Sequence, residues 1–218
     1  MNDVSEALLA ARSKVIAKIQ RLQLVYVTSK KPRHQGSIVV ALDGGSGAGK
    51  STLAALIQNE VDTALIPLDD FFAADIPDRQ WDQFTIEEKL KHVFDWKQVR
   101  DHAIEPLLKG NSAQWYAFDF ESQRPDGTYA IQTDISERNP ASVILIEGAY
   151  SASSALTDFV DLAILVDVPM QERHIRLAAR EADKNFLQKW HKRWDEVEAY
   201  YFTQVRPKRF FDLIVKLN

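Results

Sequence analysis

Residues 44–52 read GGSGAGKST, and no other stretch constrains the chain as much. The pattern G-x-x-x-x-G-K-[ST] is met with Gly44, Gly49, Lys50 and Ser51 in the fixed places. A segment wrapped this tightly around an anion must turn its amides inward, which glycines permit. A helix opening directly after the loop adds the partial positive charge of its N-terminus. Lys50 brings a full charge to the β- and γ-phosphates of a nucleotide, and the Ser51 hydroxyl offers an oxygen to magnesium. Gly44, Gly45, Ser46, Gly47, Ala48, Gly49, Lys50, Ser51 and Thr52 are therefore read as a nucleotide site, with ATP and Mg2+ as the implied cofactors.

The flanking pattern suits such a loop. Ser37–Leu42, SIVVAL, is short, β-branched and apolar, as a buried parallel strand should be. Ser51 to about Val61 follows with helical periodicity, and Ala64–Leu68 reads as a second strand. Glu87–Leu108 is helical in pattern, with a break expected near Pro106. Gln114–Phe120 and Thr128–Thr133 flank Arg124-Pro125-Asp126-Gly127, a hairpin signature. Val143–Ile146 and Leu162–Val166 are further strands. Pro169–Arg180 and Asn185–Gln204 are helices, Pro207 stops the second, and Asp212–Leu217 closes as an edge strand.

Strands alternating with helices imply right-handed βαβ units and a parallel sheet covered on both faces. The expected fold is a three-layer α/β/α sandwich of the P-loop NTPase type. It has about five mostly parallel strands and a small hairpin on the acceptor side. Ahead of it, Val4–Leu24 carries Val4, Leu8, Ala11, Val15, Ile19 and Leu22 at spacings of three and four. Residues 1–36 thus read as a helix, followed by a loop over Lys30–Gly36, packed on a P-loop domain of residues 37–218 with a lid around 170–185. A dimer contact through this helix leaves a homo-oligomer open.

Cysteine is absent, which excludes disulfides, zinc–thiolate sites and a cysteine nucleophile. The net charge of −4 and the lack of a long basic run argue against nucleic acid as a partner. No apolar run is long enough for a membrane span, and the start MNDVSE lacks the bases of a signal peptide. A cytoplasmic protein is expected.

The remaining motifs select among loop-bearing classes. There is no N-K-x-D segment for guanine and no LSGGQ-like segment, so GTPases and transporter ATPases are disfavoured. Leu68–Phe72, LDDFF, puts two carboxylates at the carboxyl end of a strand, where crevice ligands bind. One of them suits the base that accepts a proton from an attacking hydroxyl; the other reading is a helix cap. Val143–Gly148, VILIEG, ends in Glu147, placed for a magnesium-directed acid or a solvated strand end.

Arg173, Arg176 and Arg180 share a helix face, which suits closure over transferred phosphate or, more plainly, a solvated face paired with Glu172 and Glu181. Phe186, Trp190, Trp194, Val197 and Tyr201 read as a buried helix stripe, with adenine stacking as the minor alternative. All five histidines, His174 and His191 included, are read as structural or surface residues.

The loop, then DDFF, then VILIEG, in this order and spacing, resemble the uridine kinase group of P-loop kinases. That group includes nicotinamide riboside kinase and the bacterial-type pantothenate kinase. The resemblance spans roughly Ile38–Asn218 and implies an ATP-dependent kinase acting on a hydroxyl of a small, nucleoside-like molecule. It implies that Asp69 is the general base and a magnesium neighbour, and that Ser51 and Glu147 place the metal. It further implies acceptor contacts from Asp69, Phe72 and Asp95, with Arg176 and Arg180 catalytic and Arg173 on the nucleotide; Asp70, at a position variable in the group, and Arg124 are expected beside the acceptor as well. Asp95, in Phe94-Asp95-Trp96, reads equally as a helix cap. In Phe118–Pro125, FDFESQRP, the group's usual Tyr is Phe118, its His is Gln123, and its Arg falls one place early at Arg124. A non-nucleoside acceptor (pantothenate, a sugar, a sugar phosphate) and a non-catalytic ATP sensor remain alternatives.

Overall fold

The computed structural model describes residues 5–28 and 36–217. Val4 and all but the last residue of the Lys30–Gly36 loop lie outside them. In chain order the strands are β1 (Ile38–Asp43), β2 (Thr63–Pro67), β3 (Ala113–Asp119), β4 (Ala130–Arg138), β5 (Val143–Glu147), β6 (Leu162–Asp167) and β7 (Leu213–Lys216). The helices are α1 (Glu6–Thr28), α2 (Lys50–Gln58), α3 (Asp78–Trp81), α4 (Ile86–His92), α5 (Trp96–Gln98), α6 (Glu105–Leu108), α7 (Met170–Arg180) and α8 (Lys184–Tyr200).

Five strands form one parallel sheet in the order β2-β5-β1-β6-β7. The apolar runs explain that order. β1 and β5 are buried along their whole length and β6 along all but its last residue, so they occupy the centre. β2 and β7 alternate or thin out in burial and take the edges. Within β1, Val40 and Leu42 face one core while Val39 and Ala41 face the other side; β5 divides in the same way between Val143, Leu145 and Ile144, Ile146. Helices cover both faces, with α1 and α2 on one and the 96–108 helical run and α8 on the other. Each fully buried Ile or Leu contributes ~1.5–3 kcal/mol, so truncating Ile144 removes a sizeable share of the net stability.

The apolar stripe of α1 is used as its spacing suggests. Ala11, Val15, Ile16 and Ile19 are buried against α2 and the sheet, and Arg12 pairs with Glu60 at 2.7 Å. The Tyr26 hydroxyl donates to Asp161, whose other oxygen accepts from the Val39 amide at 2.9 Å, tying α1 to the head of β1. Among the described residues, no helix is long and apolar enough to cross a membrane.

The expected break near Pro106 lies elsewhere. Helix ends at His92 because Phe94 forms an antiparallel bridge with Phe72, drawing the Asp95 amide to the Phe71 carbonyl at 2.8 Å. The following run continues through Pro106. It widens to π geometry over Val99–Ile104, which accommodates a ring that offers no N–H to the carbonyl four residues back.

The hairpin β3–β4 is a separate antiparallel sheet with a register shift between Tyr116 and Phe118. It docks on the edge of the main sheet. Arg138 donates to the Leu65 carbonyl of β2 at 2.8 Å, and the Trp115 indole donates to Asp70 at 2.8 Å.

Candidate active site

The carboxyl ends of β1, β2 and β5 converge at the crevice where ligands of such sheets bind. The phosphate loop leaves β1 there. Lys50 opens α2, is 9% exposed, and donates from Nζ to the Gly45 carbonyl at 3.1 Å. Ser51 stands beside it, and its hydroxyl donates to Glu147 Oε1 at 2.9 Å across from the end of β5.

Glu147 is the most informative acid. It is 8% exposed, and its second oxygen is buried with no hydrogen-bond partner. Burial pushes its carboxyl above the usual range; the Lys50 charge and the Ser51 hydroxyl oppose this, while Asp69 and Asp70 reinforce it. An orphaned carboxylate oxygen next to a serine hydroxyl is the donor set a hard divalent cation takes, so the residues fit magnesium.

Asp69 follows β2 in a 3-10 turn over Leu68–Phe71. Water reaches its surface, yet protein crowds it low in the cleft, and this desolvation raises its carboxyl. Lys50 and then Arg180 pull the other way, so Asp69, Glu147, Lys50 and the exposed Arg180 share one electrostatic field. Gly148 allows the approach of the two acidic strand ends: a Cβ there would stand 2.7 Å from that of Leu68, one residue from Asp69.

Beyond Phe72 lies a narrow aromatic pocket of about 40 Å³. Phe72, Trp81, Phe118, Phe120, Trp190 and Trp194 line it, with Asp78, Gln123 and Arg193 at its polar side. Arg193 is held by Asp78 at 2.6 Å and Asp82 at 2.9 Å, so its charge is spent. The helix stripe therefore has two uses. Trp194, Val197 and Tyr201 are buried, whereas Phe186 and Trp190 are half-buried and face the pocket.

Several expected site residues have other partners. The Asp70 carboxylate accepts from Trp115 and anchors the hairpin. Asp95 caps α5, accepting from the Gln98 amide at 3.0 Å and the Gln98 side chain at 3.1 Å. Arg124 lies exposed at the hairpin tip, donating to the Tyr129 carbonyl at 2.8 Å. Arg176 donates to the carbonyls of Ala48 and Leu217. Arg173 is 7% exposed, forms a 2.7 Å ion pair with Glu198 of α8, and donates to the Ser46 carbonyl at 2.9 Å.

Two acids escaped the sequence reading. Glu198 accepts from the Ser46 amide at 2.9 Å and hydroxyl at 2.7 Å, so it and Arg173 clamp the outer side of the loop. The close fit explains Gly45, where a Cβ would stand 2.3 Å from an Arg173 nitrogen. Its signal was a carboxylate on the apolar face that carries Trp194 and Tyr201. Asp43, fully buried at the end of β1, accepts from the Gly44, Tyr150 and Ala152 amides at 2.7, 2.9 and 3.0 Å and from the Tyr201 hydroxyl at 2.8 Å. It holds Tyr150 at φ 69°, an uncommon conformation for a residue with a side chain. Burial raises the Asp43 carboxyl against these donors. Its signal was an acid closing an otherwise apolar strand.

The five-stranded parallel sheet, the loop on β1 and the acids ending β2 and β5 resemble those of the P-loop kinases. Within that class the chain is similar to uridine kinases. It is 28% identical over 193 residues to the uridine kinase of Halobacterium salinarum, covering 82% of this chain and 80% of that one. With the uridine kinase of Mycoplasma genitalium it shares 27% identity over 186 residues, covering 82% and 84%. Among solved structures, a "Possible Uridine Kinase" from Bacillus stearothermophilus superposes with a TM-score of 0.62 at 18% identity, over 93% of this chain and 99% of that one. No family model matches the chain.

Proposed function

We propose that the protein transfers the γ-phosphate of ATP to a hydroxyl group of a nucleoside-like small molecule. The observation that carries this reading is the meeting of four side chains at the strand ends, with an aromatic pocket that begins at Phe72, three residues past Asp69. Lys50 and Ser51 come from the loop, and Asp69 and Glu147 from the neighbouring strand ends.

In this reading the loop amides and Lys50 hold the β- and γ-phosphates. Ser51 and Glu147 hold magnesium, with Asp69 nearby; the ion, when bound, neutralises charge on the phosphate oxygens. Asp69 accepts the proton of the acceptor hydroxyl, and Arg180, whose field already reaches Asp69, meets the transferred charge. Residues 170–185 act as a lid, with Arg180 on its reactive side and Arg173 as its anchor on the loop; Arg176 would reach the phosphate only by leaving the Ala48 and Leu217 carbonyls. The raised carboxyl of Asp69 brings a weak acid closer to the range where a base works well.

The pocket walls favour a planar, largely apolar group, as a nucleobase presents. A phosphorylated acceptor would need unspent positive charge, which at this pocket falls to the single amine of Lys189, since Arg193 is already paired. A second reading, a sugar or vitamin acceptor, is favoured by the occupation of Asp95 and Arg124 by Gln98 and Tyr129.

A screen of nucleosides, sugars and vitamins with Mg-ATP tests both. Nucleosides should be turned over fastest. ATP hydrolysis that no small hydroxyl compound accelerates would leave a sensor and remove the kinase.

A further inference from the structure

We propose that His174, His191 and Asp195 form a site for one divalent transition-metal ion of the zinc class, and that this ion fastens α7 to α8. His191 and Asp195 are one turn apart on α8 and share a face. His174 reaches them from α7, a pairing that spacing along the chain does not show. An Asp195 oxygen lies 3.1 Å from His174 Nε2 and another 3.2 Å from His191 Nδ1. The two imidazole centroids are 3.9 Å apart, and the three ligand atoms all lie within 4.8 Å of one another.

A tetrahedral ion with bonds of ~2.0–2.1 Å sets neighbouring donors ~3.3 Å apart; Asp195 Oδ1 already stands 3.3 and 3.2 Å from the two histidine nitrogens, and closing the third edge, which is within 4.8 Å, takes a side-chain rotation. Two imidazoles and one carboxylate suit zinc and its neighbours, whereas magnesium prefers oxygen ligands. The ATP-linked cation therefore does not compete for the place. The three side chains are 33%, 24% and 28% exposed, so an ion can enter and water can complete the coordination.

The location gives the ion an effect. His174 adjoins Arg173 in sequence, and Asp195 precedes Glu198 by three residues on α8, so the ion would brace the same two helices that the Arg173–Glu198 pair joins against Ser46. Helix α7 would be held against the loop. Slower turnover in the presence of zinc would follow from the lid reading above, but the binding claim stands apart from it.

The test is calorimetric titration of ZnCl2 into the tag-free, chelator-dialysed chain with excess MgCl2 present. One ion per chain should bind with micromolar or tighter affinity, and His174→Ala and His191→Ala should each weaken it at least tenfold. Zinc should also raise the melting temperature of the unaltered chain and leave that of the variants unchanged. No uptake, or uptake that both variants retain, would overturn the site and leave a plain His–Asp–His hydrogen-bond cluster. Co2+ loaded into the unaltered chain gives a check that no variant's folding can confuse: intense tetrahedral d–d bands support the site, and the weak spectrum of the hydrated ion overturns it.

Discussion

The two halves of the crevice are built differently. On the phosphate side, Gly44–Thr52 is contiguous, and its partners Asp43, Asp69 and Glu147 sit at the ends of adjoining parallel strands. On the aromatic side, the pocket is assembled from Phe72, α3, the hairpin and α8, segments spread over more than a hundred residues of the chain. The first is fixed by backbone geometry and carries charge. The second is fixed by ring packing: Phe72 alone meets Trp81, Phe94, Phe118, Trp190 and Trp194 in tilted or edge-on contacts at centroid distances of 5.3–6.3 Å. Substitutions in the first should therefore change catalysis at constant fold, while those in the second should change which acceptor fits.

The strongest break of this contrast is Lys50→Ala. It should cut transfer by ~10³-fold or more while circular dichroism stays unchanged. Full activity in that variant would take the loop out of the reaction. Next is Asp69→Asn, which should lower kcat by ~10²–10⁴ and keep ATP binding, measured by equilibrium titration.

The same variant should melt at a higher temperature at neutral pH. Crowding raises the Asp69 carboxyl in the native state, so the native state holds the proton to higher pH than the unfolded chain does. Stability from this group thus falls as pH rises from its ordinary value of 3.8 through the raised one, and at neutral pH the whole cost is present. Asparagine removes it, and the advantage should vanish in acid. An unchanged melting profile would show that the field of Lys50 and Arg180 fully offsets the crowding.

Glu198→Ala comes next. It leaves a buried Arg173 unpaired and should destabilise the protein by ~3–5 kcal/mol, read by denaturant unfolding. A loss below ~1 kcal/mol would mean that Arg173 swings out to water. Smallest is Arg124→Ala. Because its guanidinium serves the hairpin turn, acceptor KM should move by no more than about twofold. A tenfold rise would return Arg124 to the acceptor site.

The parts legible in the sequence are those whose physics is local. The loop, the strand cores and the acids at strand ends are each encoded within a few neighbouring residues, and the structure places them where the pattern does. Asp95 and Asp70 were half legible, since a carboxylate at a turn serves a cap or a ligand equally well, and only the position of Gln98 and Trp115 decides. The break at Phe94 was hidden because its cause, the bridge to Phe72, lies outside the helix. Glu198 and the His174–His191–Asp195 cluster were hidden for the same reason: each acquires meaning from a partner on another helix.

In the reading proposed above, helix α8 touches both substrates' places at once. Trp190 stands in the acceptor wall and Glu198 grips the Ser46 amide, eight residues and ~12 Å further along the same rod. A rod of that length does not bend to suit one end alone. Any tilt that widens the pocket for a larger acceptor must also loosen a carboxylate from the phosphate cradle, so the choice of acceptor and the grip on the nucleotide cannot be adjusted independently in this chain.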